Sequence, residues 1–238
     1  MEKTRMRLWE VDSARGIAII MMLISNLLFD LYFFLGYAEL YSGFWIYFAR
    51  VTAGLFLLLV GLSLTLSYAR VSHLESVYKK YVKRGLWLFG VGLLVTVVTW
   101  FVVGNQFVAF GILHLIGLSI ILAYPLLRLK YVNLVLGLIL IYLGSLIQAV
   151  TYNQPWFFWL GTNQNFLLTV DYTPVIPWFG VVLLGIFLGN FLFAGGRRLR
   201  NVSNLPVRFL SRLGRNSLKI YLIHQPVFVG IILLILNM

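Results

Sequence analysis

An all-α integral membrane protein of about seven transmembrane helices, N-terminus cytoplasmic and C-terminus extracytoplasmic, is the fold class this sequence predicts. Three observations lead there. Of 238 residues, 61% are hydrophobic and only 11% are charged, against about 25% charged in an ordinary soluble domain. The apolar residues come in runs long enough to cross a hydrocarbon core of about 30 Å, which takes roughly 20 residues of helix. The basic residues fall between alternate runs, the arrangement that orients membrane proteins.

The expected spans are 14–35, 44–68, 85–103, 108–127, 132–152, 174–194 and 217–238. The first follows a basic, polar start and is too long for a signal-peptide core, with no small-residue cleavage pattern, so it is expected to be retained. Gly36 to Gly43 separates the first two spans, Gly104, Asn105 and Gln106 separate the third from the fourth, and Pro174 and Pro177 mark the start of the sixth. With short connections, residues 1–238 are expected to form a single transmembrane domain. No internal repeat is visible.

Orientation follows from the 19 Lys and Arg residues. Lys3, Arg5, Arg7 and Arg15 precede or open the first span, and Arg70, Lys79, Lys80, Lys83 and Arg84 lie between the second and third. Arg128 and Lys130 follow the fourth, while Arg197, Arg198, Arg200, Arg208, Arg212, Arg215 and Lys219 gather before the seventh. Only Arg50 stands elsewhere, and the loops 36–43, 104–107 and 153–173 hold no Lys or Arg. The basic loops are therefore assigned to the cytoplasm. The net charge of +12 is explained by orientation and anionic-lipid contact, so nucleic acid is not an expected partner. A minority reading lets some of these cations, Arg15 foremost, grip the phosphates of a nucleotide-like cofactor.

No cysteine is present, which excludes a disulfide framework, Cys-ligated zinc and a thiol nucleophile. The histidines His73, His114 and His224 have no metal-ligand spacing, so no metal is expected. The outer loop 153–173 is rich in Trp, Tyr, Asn and Gln. That chemistry suits either a carbohydrate surface or an aromatic belt at the headgroups.

Ionisable groups inside a span cost at least about 2.5–3.5 kcal/mol each and are functional candidates by default. Here they are Asp30, Arg50, His114 and His224, with Asn26 as a polar companion and Asp171 and Tyr172 at the mouth of the sixth span. Counting about 1.5 Å per residue from the expected span ends puts Asp30, Arg50 and His114 on the order of 9 Å below the outer surface. The same count puts His224 roughly 10 Å above the inner one. The structural alternatives are an Asp30–Arg50 ion pair and a core histidine at 114 bonded to a neighbouring helix.

Five segments carry a family resemblance: WEVDSARGIAIIMMLISNLLFDL (9–31), LFLLLVGLSLTLSYAR (55–70), FGILHLIGLSIIL (110–122), DYTPVIPWFGVVLLGI (171–186) and LGRNSLKIYLIHQPV (213–227). In this order they resemble the prokaryotic relatives of heparan-alpha-glucosaminide N-acetyltransferase and, more loosely, the transmembrane acyltransferase superfamily. The resemblance implies an enzyme of a prokaryotic-type plasma membrane that moves an acetyl or other acyl group from cytosolic acyl-CoA to a hydroxyl or amine of an extracytoplasmic sugar or glycolipid. Where the superfamily places an Arg, ten residues and a His, this chain has Arg15 and Asn26; where short relatives read His-x3-Asp, it reads Asn26-x3-Asp30. Asn cannot act as a base.

The catalytic expectation accordingly falls on His114 as general base, Asp30 as its orienting or charge-balancing partner, and Asn26 or Tyr172 as donor to the thioester oxyanion. Arg15, Arg50, Asp171, Tyr172, Trp178, Tyr221, His224 and Gln225 are the expected binding residues, the last two for the pantetheine arm or for support of the core. Acetyl-CoA or another acyl-CoA is the expected donor, and membrane lipids and a homodimer complete the expected partners. A transporter or flippase of a small amphiphile is the competing function, and a catalytically silent relative is a third.

Overall fold

The computed structural model describes residues 8–71, 76–148, 155–162, 169–193 and 205–236. Among them the architecture is all-helical, with α1 (Trp9–Leu35), α2 (Phe44–Val71), α3 (Val77–Val103), α4 (Ile112–Ala123), α5 (Lys130–Gln148), α6 (Val175–Phe193), α7 (Leu205–Arg215) and α8 (Ser217–Ile235). Short 3-10 turns occupy Ala38–Tyr41, Gly104–Gln106, Tyr124–Leu126 and Pro155–Leu160. Six of the helices are long and apolar enough to cross a membrane, and Ile112–Leu126 is apolar but shorter. The protein is an integral membrane protein.

Local chemistry sets the helix ends. Glu10 and Asp12 sit in the first turn of α1, where carboxylates complement the helix dipole. Gly36 ends the same helix in the left-handed region at φ 75°, with its N–H donated to the Tyr32 carbonyl, a geometry only glycine adopts cheaply. Helix α3 starts eight residues earlier than the expected span, because Lys79, Lys80, Lys83 and Arg84 are good helix formers whose long stems reach past the apolar zone to water. Its Leu86, Leu94, Val98 and Phe101 stay exposed, as the lipid-facing side of a span requires.

Two expectations are corrected. The fourth span, expected at 108–127, begins its helix only at Ile112, because the segment before it pairs with residues 170–173 instead, Phe110 bridging to Tyr172. Val170 N–H donates to Gln106 O at 3.0 Å and Thr173 N–H to Phe110 O at 2.8 Å. The stretch before the seventh span, expected to be a loop, contains the amphipathic helix α7.

The described chain forms two compact units, Met1–Leu59 with Arg198–Met238, and Val60–Arg197. In the first, α7 lies on the N-terminal half of α1. Ser13 and Ser211 share a hydrogen bond of 2.8 Å, and Gly16 faces the Leu210 backbone so closely that a Cβ would collide with it. Gly214 stands in the same way against the Asp12 carbonyl. Small residues at i and i+3 on both helices thus replace apolar side chains as the glue, as van der Waals contact in lipid demands.

In the second unit, α3 and α4 meet at Gly85 and Gly117, and α5 and α6 at Gly137 and Gly180. Its core is built from Leu64, Leu115, Ile120, Leu127, Val182, Leu183 and Ile186, all nearly inaccessible. Arg197, Arg198, Arg200, Lys3, Arg5, Arg7 and His73 lie outside the described residues, as does much of the aromatic outer loop.

Candidate active site

In the first unit α1 and α8 deliver four polar side chains to one place. Asn26 and Asp30 are one helical turn apart on α1, and His224 and Gln225 are consecutive on α8. The Asn26 amide nitrogen is 2.7 Å from His224 Nε2, and Gln225 donates to Asp30 Oδ1 at 2.6 Å. His224 Nδ1 lies 2.6 Å from the Tyr221 carbonyl oxygen. A carbonyl can only accept, so Nδ1 carries the proton and Nε2 offers its lone pair to Asn26.

Asp30 is 1% exposed, and its Oδ2 is buried with no hydrogen-bond partner. A buried carboxylate oxygen left unsatisfied costs free energy unless something binds it. Phe29, Tyr32, Phe33 and Tyr41 form an aromatic group at the end of α1 and the turn after it, with contacting ring centroids 5.1 to 6.2 Å apart.

The second unit places His114 and Asp171 at the start of α4. His114 Nδ1 accepts the Gly111 N–H at 3.2 Å, and Asp171 Oδ2 accepts the Ile112 N–H, also at 3.2 Å. The two side chains satisfy backbone donors that a helix N-terminus leaves orphaned. With Nδ1 accepting, the proton resides on Nε2, which faces Thr96 Oγ1 at 3.4 Å. Thr96 in turn donates to the Val108 carbonyl at 2.7 Å.

Phe110 stacks on the imidazole at 5.4 Å, and the histidine is 2% exposed. Asp171 also accepts from Thr173 Oγ1 at 2.9 Å. Loss of solvent raises its pKa above the carboxylate norm, and the bonds from Thr173 and Ile112 hold the rise back. Tyr172 donates its hydroxyl to the Phe158 carbonyl, and burial pushes it up to about 12. It stays a donor at any working pH.

A family model described as heparan-alpha-glucosaminide N-acetyltransferase, catalytic, matches residues 7–226. The chain belongs to this family. No curated protein and no solved structure matches it. In this heparan-alpha-glucosaminide N-acetyltransferase family member, a membrane acyltransferase by class, Asn26 of α1 is met by an imidazole from α8.

His224, expected to face the core from the inner half, touches Asn26, one turn from Asp30. The count for His114 shifts, because Val108, from which it starts, folds back against Thr99, whose hydroxyl accepts the Val108 N–H at 3.0 Å. The imidazole lies beside Gly92, eleven residues before the end of α3, or about 16 Å along its axis.

The Asp30–Arg50 ion pair does not form. Arg50 is exposed, and the ion pair found among the described residues is Arg15 with Asp12, at 3.4 Å. Trp178 is half-buried in the first turn of α6. Thr96, Thr169 and Thr173 escaped the sequence reading. Threonine in an apolar run signals little by itself, since it can bond back to its own helix, as Thr96 does toward Gly92 O at 3.4 Å.

Proposed function

We propose that the protein transfers an acetyl or other short acyl group from acyl-CoA to a hydroxyl or amine of an extracytoplasmic sugar or glycolipid, in a prokaryotic-type plasma membrane. The observation that carries this reading is the Asn26–His224 contact beside Asp30, inside a chain of this family. The basic loops favour a cytosolic donor and the uncharged, aromatic loops an outer acceptor.

Of the two histidines, the geometry favours His224 as the base. Both imidazoles have a donor on their acceptor nitrogen, but at His114 that donor is the Gly111 backbone N–H, fixed by the start of α4. At His224 it is the Asn26 side-chain amide, which can rotate away. An acceptor hydroxyl or amine is itself a donor, so it can replace Asn26 at Nε2 without changing the tautomer set by Tyr221.

Attack on the thioester carbon then passes the acceptor proton to Nε2, and the carbonyl electrons become an oxyanion. The displaced Asn26 amide donates to that oxygen. Collapse expels the CoA thiolate, which takes the proton from Nε2, and the products are an acyl ester or amide and free CoA. Asp30, one turn away, balances the transient imidazolium.

Transfer of labelled acetyl from acetyl-CoA to glucosamine and to short glucosaminides tests this with purified protein. His224→Ala is expected to lower kcat by about 100-fold or more, the usual weight of a positioned base. His114→Ala is expected to cost less than about tenfold in kcat while lowering the unfolding temperature, since it leaves Gly111 N–H unsatisfied. Wild-type turnover in His224→Ala removes that residue from the mechanism, and wild type inert toward every hydroxyl and amine acceptor removes the function.

A further inference from the structure

Helix α7 carries more than its seat on α1. At about 100° per residue, its eleven residues sort into three strips. Val207, Leu210, Ser211 and Gly214 form the strip against α1. Arg208, Arg212 and Arg215 form the second, all of them exposed. Leu205 and Phe209, with Leu213, form the third, and the first two are 81% and 60% exposed. A stretch that serves only to orient the chain has no need of an apolar strip turned outward beside its cations.

The packing fixes which way α7 points. Gly16 faces Leu210, and Asp12, four residues earlier, faces Gly214, four residues later, so the two helices run antiparallel. Gly16 is just inside the expected first span, 14–35, and Asp12 just outside it. Leu210 therefore stands at the membrane edge, with Leu205 and Phe209 toward the hydrocarbon and Arg212 and Arg215 toward water. Arg208 lies about half a turn below that edge, and its long stem carries the guanidinium back up to it. Arg208 and Arg212 are one turn apart, neighbours on the helix surface with about 5–6 Å between Cβ atoms. Arg215 turns its Nε back to the Ser211 carbonyl at 3.1 Å.

Two arginines at headgroup level beside an apolar strip complement a molecule that carries an anion and hydrocarbon together. A soluble acidic partner would meet the cations and leave Leu205 and Phe209 without cover. We infer that α7 is a binding site for an anionic phospholipid of the leaflet at the N-terminal end of α1. The phosphate sits between Arg208 and Arg212, and the acyl chains run along Leu205 and Phe209. Guanidinium groups suit that phosphate, since each offers two parallel N–H donors to two of its oxygens. The site adjoins both helices of the candidate active site, because α7 packs on α1 and passes into α8 through Asn216. It uses none of the residues proposed for acyl transfer, so the two readings stand or fall separately.

The chain has no cysteine, so Leu205→Cys gives a single attachment point for a bimane fluorophore on full-length protein in lipid bilayers. Phosphatidylcholine with brominated chains is expected to quench it, because the apolar strip meets hydrocarbon. At equal mole fraction, brominated phosphatidylglycerol is expected to quench as a lipid held in about fivefold or greater preference, the weight of one or more cations near a lipid surface. Arg208→Gln with Arg212→Gln, both exposed side chains, is expected to abolish the preference and leave quenching by phosphatidylcholine unchanged. Lys79→Gln with Lys80→Gln, which removes the same charge from α3, is expected to keep it. Quenching by neither lipid overturns the placement of α7, and equal occupancy by the two lipids in the parent protein overturns the site. A preference that survives the arginine changes, or is lost equally with the lysine changes, also overturns it. Removal of the preference by millimolar glycerol 3-phosphate would assign the arginines to a soluble phosphate and overturn the lipid reading.

Discussion

Asp171 occupies a position where two demands on a carboxylate oppose each other. The N-terminus of α4 attracts negative charge through the Ile112 N–H, while burial penalises it, and burial dominates because the pKa is raised. The folded protein therefore holds this proton to a higher pH than the unfolded chain does. Stability from this group is complete below the ordinary carboxylate value and is lost as pH rises through the raised one. Thermal unfolding followed from about pH 4 to about pH 7 should show wild type losing stability relative to Asp171→Asn, whose amide does not titrate. Parallel curves for the two proteins would mean that Asp171 is not the titrating group. The sequence made Asp171, Asp30, Asn26 and both membrane histidines visible as candidates, because polar groups stand out against an apolar background. It did not reveal their partners, since Asn26 and His224 are 198 positions apart and no local pattern encodes such a contact. His114 stands out as a candidate base because an imidazole titrates near neutral; the same ring, three residues after Gly111, accepts the N–H that starts the helix.

Among the elements, α7 is the one the sequence hid. Counting charges marks Arg208, Arg212 and Arg215 as an inner loop, but their spacing of four and three places them along one side of a helix. Ser211 and Gly214, on the strip beside them, are the ones buried. Serine and glycine weigh little on a hydropathy scale, so the buried stripe of this helix is almost silent, whereas the six long apolar helices were legible at once. The close approach makes a sharp expectation. Gly214→Ala drives a methyl into the Asp12 carbonyl and should cost about 1–3 kcal/mol, seen as a lower unfolding temperature in detergent. Gly230→Ala, on α8 with nothing within 4 Å of the added carbon, is the matched control and should be neutral or slightly stabilising. Equal behaviour of the two variants would show that α7 does not lie against α1 as described.

At the level of the whole molecule the span count was legible because the bilayer imposes a length that sequence can be measured against. The direction of insertion remains an expectation from charge, and the absence of cysteine makes it simple to check. Glu39→Cys, in the exposed turn after α1, should react with a membrane-impermeant maleimide on intact cells. Lys80→Cys, exposed near the start of α3, should react only after permeabilisation. The reverse pattern would invert the topology and with it the assignment of donor and acceptor sides. The discontinuous make-up of the first unit also bears on biogenesis. A ribosome delivers α1 early, and Asp30 waits through nearly two hundred residues of translation before Gln225 emerges to bond it. Throughout that interval the nascent chain carries an uncompensated acid, and assembly of the unit must be post-insertional, completed when the final helix arrives.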